Sequence, residues 1–125
     1  MSMTTAAVLG SGAWGTTFAQ VLADAGVDVT MWGRNADTIS FINGHENPMY
    51  LPGITLSERI CATTDIASAV SGEQLVVVAV PVKAVRATLE AARDAFVPDV
   101  ALLSLAKGLE LGSLKRVDEV LADAS

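Results

Sequence analysis

The chain has 125 residues, 51% of them hydrophobic, and 14 acidic against 8 basic residues give a formal net charge of −6. That length and apolar content suit one domain with a single core and argue against a disordered tail. The acidic balance disfavours an unaided grip on nucleic acid or on an anionic membrane surface, so a bound anion must be held by local backbone and a few basic groups.

No basic residue precedes Arg34, which argues against a secretory leader, and the longest apolar run, residues 75–80, is too short to insert across a bilayer. A cytoplasmic protein is the simplest expectation. The single cysteine, Cys61, excludes an internal disulfide. Within the run "ICAT" it reads as a small buried core residue.

Apolar stretches of strand length alternate with stretches of helical period, the pattern of repeated βαβ units. Strands are expected at 6–10, 27–32, 60–63, 75–80 and 101–105, several of them continuously apolar, as parallel strands covered on both faces should be. Between the first two, Trp14, Phe18, Val21, Leu22 and Ala25 follow the spacing of a buried helix stripe, and Gly26 ends that helix. The segment 43–53, "NGHENPMYLPG", breaks the pattern and reads as a long connection, a place where function often resides. Its His45 has no partner at metal-ligand spacing, so a loop hydrogen bond is expected and a metal role is not. After Pro81, the residues Val82, Val85, Leu89, Ala92 and Phe96 form a second stripe that Pro98 closes. A last helix from about Ser113 turns Leu114, Val117 and Leu121 inward, with Lys115 and Arg116 on its solvated face. The predicted whole is an α/β, three-layer, doubly wound parallel sheet of Rossmann type in strand order 3-2-1-4-5.

"GSGAWG", residues 10–15, satisfies G-x-G-x-x-G with a strand before it and a helix after it. In that context Gly10 makes the tight turn, Gly12 lets backbone amides approach a pyrophosphate, and Gly15 lets the helix pack closely on the strand. The competing reading is a glycine turn that binds nothing, with Trp14 part of the core. About 20 residues on, a carboxylate would bind the ribose 2′-hydroxyl of NAD, whereas arginine can pair with the 2′-phosphate of NADP. Arg34 stands there; Asp28 comes too early and Asp37 falls in the next helix. NADP(H) is therefore the preferred cofactor, with NAD(H) able to serve, against the alternative of a solvated surface arginine.

In an open parallel sheet the ligand lies beyond the carboxyl ends of the strands, which selects Pro81 after the fourth strand and Lys107 after the fifth. Lys107 is placed to hold an anionic or carbonyl-bearing substrate. Neither a triphosphate-binding G-x-x-x-x-G-K-[ST] nor a hydrolase G-x-S-x-G is present.

The segments "GSGAWGTTFA", "WGRN", "HENPMYLPG", "TTDI", "VVAVPVKAVR" and "SLAKGLE" occur in the order seen in NAD(P)-dependent glycerol-3-phosphate dehydrogenases, and the chain resembles the N-terminal part of the bacterial form. The resemblance implies reduction of dihydroxyacetone phosphate to sn-glycerol 3-phosphate with a nicotinamide cofactor, feeding glycerophospholipid synthesis. It implies that Ala13, Trp14, Arg34 and Tyr50 touch the cofactor and that Lys107 meets cofactor and substrate. Many relatives have serine where Ala13 stands, so a hydroxyl bond is replaced by a backbone amide; where some carry histidine this chain has Arg34, which favours NADP. The resemblance also implies a further helical domain carrying the general acid/base lysine. No catalytic residue is therefore expected among residues 1–125, which form an incomplete cofactor domain unable to turn over alone. A homodimer is compatible with this picture. The alternatives are a ketopantoate reductase-like or 6-phosphogluconate dehydrogenase-like enzyme, neither expected to share "YLPG" and "AKGLE" together, or a non-catalytic nucleotide-binding module.

Overall fold

The computed structural model describes residues 4–96 and 100–104. Strands β1 (Thr5–Leu9), β2 (Asp28–Trp32), β3 (Ile60–Thr63), β4 (Leu75–Val78) and β5 (Ala101–Ser104) form one sheet in the order β3-β2-β1-β4-β5. Every neighbouring pair is parallel, as expected. Parallel neighbours need crossovers, and each crossover here carries a helix: α1 (Ala13–Asp24), α2 (Ala36–Asn43), α3 (Ile66–Val70) and α4 (Val85–Ala92), in chain order.

Alternation along the strands sends side chains to two buried layers. Ala6, Val8, Val29, Met31, Ile60 and Val77 pack with Ala19 and Ala23 of α1 and with Ile39 and Ile42 of α2. Ala7, Leu9, Trp32 and Val76 face the other way, onto Ala69 and Val70 of α3 and Ala92 of α4. Both faces are thus buried along the central strands β1 and β4, which is why these read as continuous apolar runs, while Cys61 and Leu103 on the edge strands are exposed.

Three expectations need correction, and one element was not foreseen. The α1 stripe is turned from its predicted position: Trp14 and Val21 are 58% and 56% exposed and Ala25 is exposed, whereas Gly15, Thr16, Ala19 and Ala23 are buried. The helix lies so close to the sheet that a Cβ on Gly15 would overlap the Gly10 carbonyl oxygen, so small residues face inward and bulky ones flank the contact. Cys61 is exposed, because β3 is an edge strand and its alternation points this thiol outward, 3.5 Å from the Thr30 hydroxyl. The stretch after Pro81 is not one helix to Phe96 but a 3-10 turn at Val82–Ala84, then α4, then a second 3-10 turn at Arg93–Ala95. Helix α3 was not foreseen; five residues are too few to show a period.

Strand ends differ by a residue or two, with β4 stopping at Val78 instead of residue 80. Pro98, Lys107 and the predicted last helix lie outside the described residues.

Candidate functional site

The parallel register brings the carboxyl ends of the strands level. Leu9 is paired with Trp32 on one side and Val78 on the other, while Trp32 meets Thr63 and Val78 meets Ser104. Gly10, Arg34, Thr64 and Pro81 therefore emerge along one edge. The chain winds outward from β1 to β2 and β3 in one direction and through β4 to β5 in the other, so the gap beyond β1 and β4 is the topological switch point where such sheets bind ligands.

Gly10 turns the chain at that gap with φ of +130°, a conformation that side chains other than glycine rarely adopt. Its N–H donates to the Trp32 carbonyl and the Ala79 N–H to the Leu9 carbonyl, both at 2.8 Å, which carries the ladder one step past the strands. Gly12 then serves as the N-cap of α1. It supplies no capping side chain, no acidic residue stands in the first turn, and among the described residues a Cβ built on it would meet nothing within 4 Å. Helix α2 is finished differently, since the Asn35 side chain accepts from the amides of Asp37 and Thr38 at 2.9 and 3.1 Å. One helix N-terminus is closed by its own side chain, and at the other the position of a Gly12 Cβ is open among the described residues. The second is what an anionic group needs: amide donors, the positive end of a helix dipole and room for approach. These features fit a dinucleotide pyrophosphate.

Ala13 and Trp14 follow, both exposed, on the first turn of α1. Arg34 is exposed just past β2, and among the described residues its side chain makes no ion pair. The glycine before it was not singled out from the sequence. A Cβ on Gly33 would overlap the Ser11 hydroxyl, so the β2 end lies against the glycine loop and carries Arg34 to its border. Pro81 is exposed past β4, and its carbonyl accepts from the Ala84 N–H at 2.8 Å to start the 3-10 turn.

The connection after α2 is tied back to the same place by Asn47, only 1% exposed. Its Nδ2 donates to the Ser11 carbonyl at 3.1 Å and to the Thr16 hydroxyl at 2.8 Å, and the Thr16 hydroxyl donates to the Ser11 carbonyl at 3.3 Å. The Asn47 carbonyl accepts from the N–H groups of Tyr50 and Leu51 at 3.2 and 2.7 Å, so the turn bearing the 43%-exposed Tyr50 hangs from this anchor. Sequence reasoning missed Asn47 and Thr16; the Asn-Pro pair at 47–48 marked a turn but not a buried amide. The hydrogen bonds at His45 are made by its backbone, whose N–H donates to the Ile42 carbonyl and whose carbonyl accepts from Leu56; among the described residues its buried imidazole Nδ1 has no partner, so the expected side-chain bond is not seen. Among the described residues no three of His, Cys, Asp and Glu gather as a metal site.

The glycine-loop, Arg34, Tyr50 and Pro81 segments thus share one edge, while Lys107 lies outside the described residues. The sequence matches the family described as NAD-dependent glycerol-3-phosphate dehydrogenase N-terminus over residues 5–125. The chain belongs to that family. Glycerol-3-phosphate dehydrogenase [NAD(P)+] of Thermobifida fusca (strain YX) is 50% identical over 123 residues, 97% of this chain and 37% of that protein. The crystal structure of glycerol-3-phosphate dehydrogenase from Coxiella burnetii superposes with a TM-score of 0.81 at 27% identity, over 98% of this chain and 38% of that one. A ketopantoate reductase from Ralstonia eutropha JMP134 shares the fold alone, with a TM-score of 0.74 at 22% identity over 95% of this chain and 37% of that one. The chain therefore spans little more than a third of the glycerol-3-phosphate dehydrogenases it matches.

Proposed function

We propose that this chain is the cofactor-binding portion of a cytoplasmic oxidoreductase that interconverts dihydroxyacetone phosphate and sn-glycerol 3-phosphate for glycerophospholipid synthesis. The observation that carries the reading is the uncapped, unobstructed N-terminus of α1 at Gly12, at the switch point of the sheet, in a chain of this family. A bound NADPH or NADH supplies a hydride to the ketone carbon of the substrate.

The residues of this chain bind and orient. Gly10 and Gly15 seat α1 against the strand ends, while the backbone at Gly12 and Ala13 offers amides to the pyrophosphate. Trp14 and Tyr50, both exposed, form walls of the cofactor site, and Pro81 bounds it past β4. Arg34, a guanidinium at the end of β2 with no carboxylate beside it in the chain, pairs with a 2′-phosphate and favours NADPH over NADH. Lys107, in "AKGLE", holds the substrate's ketone and phosphate next to the cofactor. The proton for the developing alkoxide comes from a lysine beyond Ser125, in a helical domain of the full-length protein.

The test is an absorbance assay on the full-length protein. Oxidation of NADPH that depends on dihydroxyacetone phosphate is the expected result. Turnover with ketopantoate and none with dihydroxyacetone phosphate would move the protein to a neighbouring activity, and dinucleotide binding without any turnover would leave a binding module.

A further inference from the structure

We propose that Asn47 is a positioning residue of the dinucleotide site, acting through the Ser11 carbonyl to aim the Gly12 N–H at the ligand. The assignment rests on the dinucleotide reading of the α1 N-terminus.

A carbonyl oxygen can only accept, so the contact with Ser11 fixes the Asn47 amide with Nδ2 toward the glycine loop. The Thr16 hydroxyl reaches the same oxygen and also accepts from Nδ2, and both side chains are sealed from solvent, Thr16 at 0% and Asn47 at 1% exposure. The Ser11 oxygen is thereby held on the inner side of the loop. The peptide that carries it continues as the N–H of Gly12, and in a trans peptide the two bonds point in opposite directions. Fixing the oxygen inward turns the Gly12 N–H outward. Among the described residues that N–H has no hydrogen-bond partner, and the space at the Gly12 Cα is open.

The Asn47 Oδ1 is buried with no partner, so the side chain is held here by its Nδ2 donors alone. At the same time its backbone carbonyl organises the turn that presents Tyr50. One buried side chain thus sets the angle of an amide on the glycine loop and fastens a second wall to it.

In the full-length protein, Asn47→Ala and the isosteric Asn47→Asp should each weaken the dinucleotide that the unmutated protein binds, NADPH or NADH, by about tenfold or more, as loss of a buried hydrogen bond implies. The titrations are made well below each variant's melting temperature. The signature of positioning is spectroscopic: with isotope-labelled glycine, the Gly12 amide resonance shifts on saturation with dinucleotide, and in Asn47→Ala that shift is at least halved while the resonance of Gly26 at the far end of α1 stays in place. If the Asn47 variants do not fold, Thr16→Val, which removes a donor to the Ser11 oxygen and an acceptor of Nδ2, carries the same expectation. A folded variant that keeps the unmutated affinity and the full Gly12 shift overturns the assignment. An unmutated protein that binds neither dinucleotide removes the dinucleotide reading itself, and the assignment with it.

Discussion

The Cβ that Gly10 lacks would stand 2.7 Å from the carbonyl oxygen of Ala79. The first turn beyond β1 and the first residue beyond β4 are therefore in backbone contact, and this contact closes the floor of the switch point. Gly10→Ala places a side chain on backbone that has no slack, at a φ of +130°. Strain and overlap together should lower stability by about 3 kcal/mol, read as a lower denaturation midpoint at unchanged slope.

Arg34 is argued to choose the cofactor. Removing one ionised hydrogen-bond partner is worth about 1.5–3 kcal/mol, so Arg34→Ala should narrow the preference for NADPH over NADH by about 10- to 100-fold. Fluorescence titration of the full-length protein with both cofactors checks it. Equal affinities in the unmutated protein would defeat the role given to Arg34.

Helix α2 ends in a Schellman arrangement, with the N–H of Glu46 donating to Phe41 and that of His45 to Ile42. The left-handed residue is His45, at φ of 68°, while Gly44 before it keeps φ of −89°. Glycine belongs at the left-handed position. His45→Gly should therefore raise stability by about 0.5–1 kcal/mol after the added freedom of the unfolded chain is set against the relieved strain. A melting temperature unchanged or lowered would show that the imidazole holds the loop in some other way.

Glu73 lies just before β4, at the edge of the sheet opposite the site. Burial pushes its carboxyl up from the ordinary value, the charge of Asp28 pushes the same way, and a hydrogen bond with Thr5 opposes them. With a folded-state pKa above the unfolded one, the folded protein binds more protons, so this group favours folding below the unfolded carboxylate's pKa and loses that contribution as pH rises through the folded value. Glu73→Gln should thus be more stable than the unmutated protein at neutral pH, with the difference shrinking toward acid. Parallel melting curves at neutral and acidic pH would refute this by showing no change in the gap.

The element order and the sheet were legible because burial on both faces makes the central strands continuously apolar and because Gly26 follows the end of α1 and Pro81 precedes the turn into α4. The orientation of α1 was not. Periodicity weights large side chains such as Trp14 and Val21, whereas close packing against β1 selects Gly15 and Ala19, which periodicity barely registers. Cys61 was misplaced although the expected order 3-2-1-4-5 already set its strand at the edge of the sheet: the reading followed the local run "ICAT" and not that position. In the candidate site, the glycines of the turn beyond β1 and the exposed Arg34 beyond β2 could be picked out by residue type and spacing. Asn47 and Gly33 act through what they touch, 36 residues away at Ser11 for the first, and no local signal carries that distance.

The central claim is that the open N-terminus of α1 receives a dinucleotide pyrophosphate. Gly12→Ala separates binding from folding, because a Cβ there meets nothing within 4 Å and φ is an ordinary −77°. The substitution should lower stability by no more than about 1 kcal/mol, the difference between glycine and alanine as an N-cap. Its methyl group enters the space left for the ligand, so titration of the folded full-length variant with NADPH should show affinity reduced at least about tenfold. A folded Gly12→Ala protein that binds NADPH as tightly as the unmutated one would contradict the account.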